Sequence, residues 1–280
     1  MPSIESIRRR SDGIAERLRI PIRNYPSGEP LIGFNSGGEG NVERVLLKPM
    51  AMLDFMAGLF FVDAIAERGH PTPALVLPFV PGARQDRLNV AGDFLFTAKS
   101  VAKEINARCF PSVTILDPHS EVMPALIDRC RVVHADRCLA LPLGYADYRA
   151  VISPDAGAEK RASAVARLLG VPLLHAWKTR DVATGAISGF GLEPTFGAVV
   201  SPALVVDDIC DGGGTFVGLA QILSARGIGA DLFVTHGLFT QGTSKLLEHY
   251  GNIFCTDSVD VERPGVTVIE VCSRLLEGVF

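Results

Sequence analysis

Short apolar runs alternate with amphipathic stretches along most of the chain, and glycine or polar residues separate them. Apolar runs rich in β-branched residues are typical of buried strands, whereas apolar residues three and four positions apart are typical of helices. The predicted strands are 31–34, 45–47, 74–79, 113–116, 148–153, 172–176, 204–206, 231–236, 252–255 and 266–269. The predicted helices are 52–68, one opening at Thr97, one ending at Gly170, one from Phe216 to Gly227, 244–250 and 271–276.

Strand and helix follow each other in two successive series, and the pattern pauses between Pro142 and Asp147. The sequence therefore predicts an α/β fold of two doubly wound parallel-sheet domains, 1–145 and 146–280, joined face to face around a shared site. Residues 1–30 are the hardest to interpret, and the arginine cluster Arg8, Arg9 and Arg10 is expected in a helix.

The most informative stretch runs from Leu204 to Thr215, where a buried strand ends in acidic residues, three glycines and a hydroxyl before a helix begins. Glycines at the start of a helix let backbone N–H groups converge on one anion, and the helix dipole adds positive potential. The adjacent carboxylates of Asp207 and Asp208 would repel a phosphate unless they bind its hydroxyls or a cation. A phosphorylated sugar meets both requirements, and the alternative is an acidic, glycine-rich surface turn.

This loop resembles that of type I phosphoribosyltransferases and of ribose-phosphate diphosphokinases. The resemblance implies that the acidic pair grips the ribose hydroxyls while the following turn wraps the 5-phosphate. The implied ribose 5-phosphate site consists of Asp207, Asp208, Asp211, Gly212, Gly213, Gly214 and Thr215. The ribose-phosphate diphosphokinase family carries threonine at the position of Gly212, so the resemblance implies that one phosphate-contacting hydroxyl is missing here, although backbone N–H donors remain.

A second polar segment, Arg84-Gln85-Asp86-Arg87, follows the predicted strand 74–79. Ligands bind at the carboxyl ends of parallel strands, and arginine suits polyphosphate, so a nucleoside triphosphate fits. A solvated charged loop is the alternative when the segment is taken alone. The segment resembles the ATP-binding segment of ribose-phosphate diphosphokinases, which phosphoribosyltransferases lack. That family's adenine-contacting motif is present only in altered form, from Phe34 to Glu39, and both residues are assigned to the ATP site.

Two residues at strand ends are candidate metal ligands. His119 follows the strand 113–116, and Asp155 follows the strand 148–153 at the matching place in the other half. A lone histidine is more often an ordinary surface or core residue, and Asp155 can equally stabilise the dipole of the next helix. The resemblance implies that both flank the magnesium ion of Mg-ATP.

Lys178 and Arg180 stand at the base of a stretch rich in Gly, Thr and Ser that extends to about residue 196. Stretches of this kind are often lids, and the two side chains would project on one side of an extended run. Taken alone, two basic loop residues are more often solvated. Their spacing resembles the family's catalytic pair on a mobile loop.

Composition excludes several classes of protein. The chain has 280 residues and a net charge of −4 with both signs interspersed, so neither nucleic acid nor a membrane surface is an expected partner. Six cysteines without a CxxC pair indicate reduced thiols. No signal-peptide pattern or membrane-spanning run is present, and a cytoplasmic protein is expected.

The resemblance extends from about Phe34 to the C-terminus and contains five motifs in order. It implies that ATP and ribose 5-phosphate give phosphoribosyl diphosphate and AMP, with Mg²⁺ as cofactor, in nucleotide biosynthesis. It also implies a homo-oligomer, a dimer or a hexamer. Two alternatives stay open: a type I phosphoribosyltransferase that consumes phosphoribosyl diphosphate, and a non-catalytic regulatory homologue.

Overall fold

The computed structural model describes residues 3–9, 15–34, 41–88, 95–139, 147–180, 187–194 and 200–280. Its strands are β1 (Ser3–Arg9), β2 (Ala15–Ile20), β3 (Ile22–Asn24), β4 (Pro30–Ile32), β5 (Asn41–Lys48), β6 (Ala74–Leu77), β7 (Val113–Leu116), β8 (Cys130–Val133), β9 (Ala150–Ser153), β10 (Leu173–Arg180), β11 (Ile187–Leu192), β12 (Ala203–Cys210), β13 (Ala230–Gly237), β14 (Ile253–Thr256) and β15 (Thr267–Ile269). Its helices are α1 (Met52–Glu67), α2 (Thr97–Asn106), α3 (Val122–Leu126), α4 (Ala135–Leu139), α5 (Glu159–Leu169), α6 (Gly214–Ala225), α7 (Ser244–Leu247) and α8 (Cys272–Glu277).

The chain forms two compact units. The first contains residues 1–133 together with 258–260 and 270–280, and the second contains 134–257 and 261–269. The predicted boundary region 142–147 lies almost wholly outside the described residues, so the division at residue 145 stays a prediction. Within the described ranges, no helix is both long and apolar enough to cross a bilayer.

The first unit is built on a six-stranded sheet of order β2-β1-β5-β6-β7-β8. Strands β5 to β8 are parallel, while β1 is antiparallel to both of its neighbours. Helices α1 and α2 bury Phe55, Leu59 and Ile105 in a core shared with Leu75 and Ile115. Burial of each such side chain contributes about 1.5–3 kcal/mol, which is the main force holding the layers together.

The second unit has a seven-stranded sheet of order β11-β10-β9-β12-β13-β14-β15. All neighbours are parallel except β11, which is antiparallel to β10. Its core contains Ile152, Val205, Leu219 and Leu232. The predicted α/β class with parallel sheets is therefore confirmed, and the predicted strands and helices mostly agree with the observed ones within a few residues.

Two glycines inside helices allow close packing. A side-chain carbon added to Gly58 of α1 would collide with Leu47 of β5. One added to Gly218 of α6 would collide with the ring of Phe190 on β11. In each unit a helix thus approaches a strand at a point where no larger residue fits.

The helix expected around Arg8, Arg9 and Arg10 is wrong for the described part, because Ser3–Arg9 is a strand and Arg10 lies outside the described residues. Alternate side chains of this strand are buried, and Arg8 is neutralised by Glu16 of β2 at 2.6 Å. Arg9 pairs with Glu43 of β5, also at 2.6 Å. Cross-strand ion pairs of this kind cannot be recognised from local periodicity.

The lid-like loop expected after residue 176 is also corrected. Strand β10 continues through Lys178 to Arg180 and pairs with β11 in an antiparallel hairpin, with an irregularity between Thr179 and Arg180. The stretch is extended because it pairs with β11, a strand whose glycines made it look like a loop in the sequence. Gly191 lies against Trp177, where a side chain would not fit. Residues 181–186 lie outside the described residues.

Candidate functional site

In the second unit, the predicted phosphate loop joins strand β12 to helix α6. The strand ends at Cys210. Asp211 and Gly212 form the turn, and Gly213 precedes the helix with a φ of +78°. A left-handed residue favours glycine, so Gly213 is required by the backbone. Gly214 opens the helix and Thr215 lies half-buried in its first turn. The backbone N–H groups at this end of α6 are suited to an anion.

Asp207 and Asp208 lie within β12, three and two residues before the strand ends at Cys210. Arg161 of α5 donates from Nη1 to Oδ1 of Asp207 at 3.1 Å and to Oδ1 of Asp208 at 3.0 Å. All three side chains are largely buried. Two adjacent buried carboxylates require such a cation, because an uncompensated charge in this position is costly.

Arg161 was not predicted as a site residue. The requirement for a counter-charge was already present in the acidic pair, but any of several basic residues could have met it. Burial, followed by the charge of Asp208, raises the pKa of Asp207 well above its usual range, and Arg161 opposes that shift. The arginine therefore favours the ionised form of Asp207, in which the carboxylate can only accept hydrogen bonds.

Asp155 follows β9 and lies at the same edge of the sheet, because β9 and β12 are parallel neighbours. Its Oδ1 accepts hydrogen bonds from the N–H groups of Gly157 at 2.9 Å and Ala158 at 3.2 Å. Its Oδ2 accepts a hydrogen bond from Nζ of Lys178 at 2.6 Å. Burial acts to raise the pKa of Asp155, but Lys178 and the two N–H donors outweigh it and hold the pKa below its ordinary value.

Two residues assigned to different tasks thus form an ion pair: the proposed metal ligand Asp155 and the proposed catalytic Lys178. Arg180 is the last residue of β10, two positions after Lys178 on the same strand. The strand holds Lys178 beside the carboxyl ends of β9 and β12, where a bound phosphate would need neutralisation.

A segment that contains no predicted site residue packs on the phosphate loop. We call residues 238–243, which follow β13, the 238–243 turn. The N–H groups of Leu238 and Phe239 donate to the carbonyl oxygen of Cys210 at 2.9 and 3.0 Å. Thr240 donates from its N–H to the carbonyl oxygen of Asp211 at 3.0 Å and from its hydroxyl to Asp211 Oδ1 at 2.7 Å.

Cys210 is completely buried, and burial raises the pKa of its thiol to about 12. The thiol therefore stays protonated near neutral pH, as expected of a small residue that fits the loop and unlike a reactive cysteine. All six cysteines are free.

In the first unit, Arg84-Gln85-Asp86-Arg87 follows β6 and precedes α2. The N–H of Gln85 donates to the carbonyl oxygen of Gly82 at 3.1 Å, and the carbonyl oxygen of Gln85 accepts from Ala98 of α2 at 3.1 Å. The hydroxyl of Thr97 donates to the Gln85 side chain. The segment is thus held by backbone contacts while Arg84 and Arg87 are exposed; Arg87 lies 3.7 Å from Asp86.

The remaining candidate residues of the first unit are His119, Phe34 and Glu39. His119 is exposed three residues after the end of β7, two positions after the buried Asp117. Phe34 is half-buried, with its ring centroid 5.7 Å from that of Phe61 and 3.9 Å from the guanidinium carbon of Arg68. Glu39 lies outside the described residues.

No cluster of three or more His, Cys, Asp or Glu side chains able to hold a metal occurs among the described residues. Asp155 nevertheless offers a carboxylate oxygen, the donor type that Mg²⁺ prefers. Magnesium in nucleotide enzymes takes most of its ligands from phosphates and water, so one or two protein ligands are sufficient. The residues therefore fit a magnesium ion delivered with its nucleotide.

Several curated proteins similar to this chain are named ribose-phosphate pyrophosphokinase. A ribose-phosphate pyrophosphokinase of Mesorhizobium japonicum is 28% identical over 298 residues, which cover 96% of this chain and 92% of that protein. One from Pyrococcus abyssi is 25% identical over 270 residues, covering 93% and 91% respectively. No family model matches the chain.

A solved structure agrees with these sequence similarities. The phosphoribosylpyrophosphate synthetase of Mycobacterium smegmatis superposes with a TM-score of 0.78 at 25% identity, covering 93% of this chain and 88% of that one. The similarity therefore extends across both units and is not confined to the phosphate loop.

Proposed function

The chain belongs to the ribose-phosphate pyrophosphokinase family, and we propose from this that it transfers the diphosphoryl group of ATP to ribose 5-phosphate. The products are phosphoribosyl diphosphate and AMP. One observation supports the proposal: each unit has a polar segment of different chemistry after a parallel strand. An arginine-bearing turn follows β6 in the first unit, and an acidic pair with a glycine loop ends β12 in the second.

In this reaction the anomeric hydroxyl oxygen of the sugar attacks the β-phosphorus of ATP. The bond from that phosphorus to the oxygen bridging to the α-phosphorus breaks, and AMP leaves with that oxygen. The hydroxyl proton is lost to solvent or to a phosphate oxygen. The protein has little covalent chemistry to perform, so positioning and charge neutralisation must supply the acceleration.

The second unit would position the sugar. The carboxylates of Asp207 and Asp208 would accept hydrogen bonds from the ribose hydroxyls, since Arg161 compensates part of their charge without occupying every oxygen lone pair. Asp211 and the segment Gly212–Thr215 would surround the 5-phosphate with N–H donors at the start of α6. This assignment is supported by the left-handed Gly213 and the exposed helix end.

Arg84, Gln85, Asp86 and Arg87 would bind ATP in the first unit, with Phe34 and Glu39 near the adenine. Lys178 and Arg180 would neutralise charge that develops on the β-phosphoryl group and on departing AMP. Mg²⁺ would neutralise the triphosphate, with His119 and Asp155 as its protein ligands. A homo-oligomer, either a dimer or a hexamer, belongs to the same proposal.

The test is to incubate the protein with Mg-ATP and ribose 5-phosphate and to quantify AMP and phosphoribosyl diphosphate. Both products should appear in equal amounts, and neither should form when ribose replaces ribose 5-phosphate. A phosphoribosyltransferase would make no AMP from these substrates. Absence of AMP with both substrates saturating would refute the proposed function.

A further inference from the structure

Glycine at position 212 is not required by the backbone. Of the three glycines in the loop, only Gly213 has a left-handed φ, so Gly212 and Gly214 could carry side chains without strain. A side-chain carbon added to Gly212 would meet only ordinary van der Waals contact, 3.7 Å from Cγ of Gln241. Glycine therefore leaves an open place at the mouth of the phosphate loop, beside Gln241.

Gln241 is held at that place by the 238–243 turn. Hydrogen bonds from Leu238, Phe239 and Thr240 tie the turn to Cys210 and Asp211, the residues immediately before Gly212. The turn and the phosphate loop therefore form one hydrogen-bonded unit. Gln241 itself is exposed, so its carboxamide is accessible to a ligand in the loop.

We propose that Gln241 is a further ribose 5-phosphate-binding residue, whose carboxamide N–H donates to the 5-phosphate in place of a side chain at position 212. This inference rests on the proposed function, because it assumes that the loop holds the sugar phosphate. A carboxamide supplies N–H donors without added charge, and hydrogen bonds to an ionised acceptor are stronger than neutral ones.

The arrangement explains why a glycine is tolerated in the loop. A side chain at position 212 would lie against that of Gln241, so a hydroxyl there and the carboxamide of Gln241 would reach the same phosphate group, and either one suffices. The two positions should accordingly be energetically coupled, as expected for neighbours that share one ligand.

The experiment is titration calorimetry of ribose 5-phosphate binding to the full-length protein, alongside AMP formation. Gln241→Ala should weaken binding about 5- to 20-fold, the range for losing one partly exposed hydrogen bond to a charged group. Gln241→Glu, of equal size but carrying a negative charge, should weaken it more. Gln221→Ala, at an exposed glutamine on α6, is the matched control and should leave affinity unchanged.

Gly212→Thr in the Gln241→Ala background should restore the affinity to within about threefold of the unmutated protein, whereas alone it should change little. Unchanged affinity in Gln241→Ala would overturn the proposal, as would failure of Gly212→Thr to restore it. Either result leaves the proposed function standing if the unmutated protein still forms AMP. If the unmutated protein neither binds ribose 5-phosphate nor forms AMP, both proposals are overturned.

Discussion

Replacing Arg161 by methionine should test whether this buried guanidinium holds the acidic pair together. The side chains of Arg161, Asp207 and Asp208 are 10%, 13% and 5% exposed, so water has little access to replace the lost charge. Removing one partner of a buried ion pair costs about 3–5 kcal/mol, because the remaining charge is left uncompensated. We expect the free energy of unfolding to fall by that amount at mildly alkaline pH.

The loss should depend on pH in a defined direction. The pKa of Asp207 is already raised in the folded protein, mainly by burial, and removing Arg161 raises it further. A carboxyl with a raised folded pKa contributes stability that is present below its unfolded pKa and is lost as pH rises through the folded pKa. At pH values between the folded-state pKa of Asp207 in the unmutated protein and the higher one in the variant, the variant binds a proton that the unmutated protein does not. As pH falls through this range, the free energy of unfolding of the variant should rise by about 1.4 kcal/mol per pH unit relative to that of the unmutated protein.

Urea unfolding followed by tryptophan fluorescence measures this effect in the correct unit, because the single tryptophan, Trp177, lies on β10. Arg167→Met is the control, since Arg167 is an exposed arginine of the same helix that donates to Ser163. It should change stability by less than about 0.5 kcal/mol. Arg161→Lys keeps the charge and should lose less than Arg161→Met.

An Arg161→Met variant as stable as the Arg167→Met control would refute the reasoning. So would a full loss that stays the same at every pH, since that would indicate lost packing and not uncompensated charge.

Three further predictions concern activity. Lys178→Ala and Arg180→Ala should each lower turnover far more than they raise the Michaelis constants, because their contacts strengthen in the transition state; unchanged turnover would assign them to binding alone. Arg84→Ala should weaken ATP binding by roughly 1.5–3 kcal/mol, and Asp208→Asn should mainly weaken ribose 5-phosphate binding. The apparent affinity for each substrate, measured with the other substrate saturating, checks both. His119→Ala should raise the magnesium concentration needed for activity, and an unaltered magnesium titration would remove His119 from the metal site.

The elements that carry the site could be predicted from sequence because each ends in a local signal. Strand β12 begins as a continuous apolar run that leads into acidic residues and glycines, and α5 stops at the left-handed Gly170. Such signals depend on neighbours in the chain, which is why the order of strands and helices was largely correct.

What could not be predicted depends on partners far along the chain. Arg161 pairs with residues more than 40 positions away, and Thr240 contacts Asp211 across a helix and a strand. The strand β1 was mistaken for a helix because its buried Arg8 is acceptable only beside Glu16. Basic residues at such positions resemble solvated ones until their partners are known.

Gly218 shows how a residue that is not itself a candidate site residue can affect two parts of the proposed site. In an ordinary exposed helix, replacing glycine by alanine stabilises by about 1 kcal/mol. Here the ring of Phe190 fills the space that the alanine methyl would need, so the sign reverses. Strand β11, which carries Phe190, pairs with the strand of Lys178, and α6 begins at the phosphate loop. A stabilisation programme that improved helix propensity residue by residue would therefore destabilise this enzyme where β11, the strand paired with that of Lys178, packs against α6.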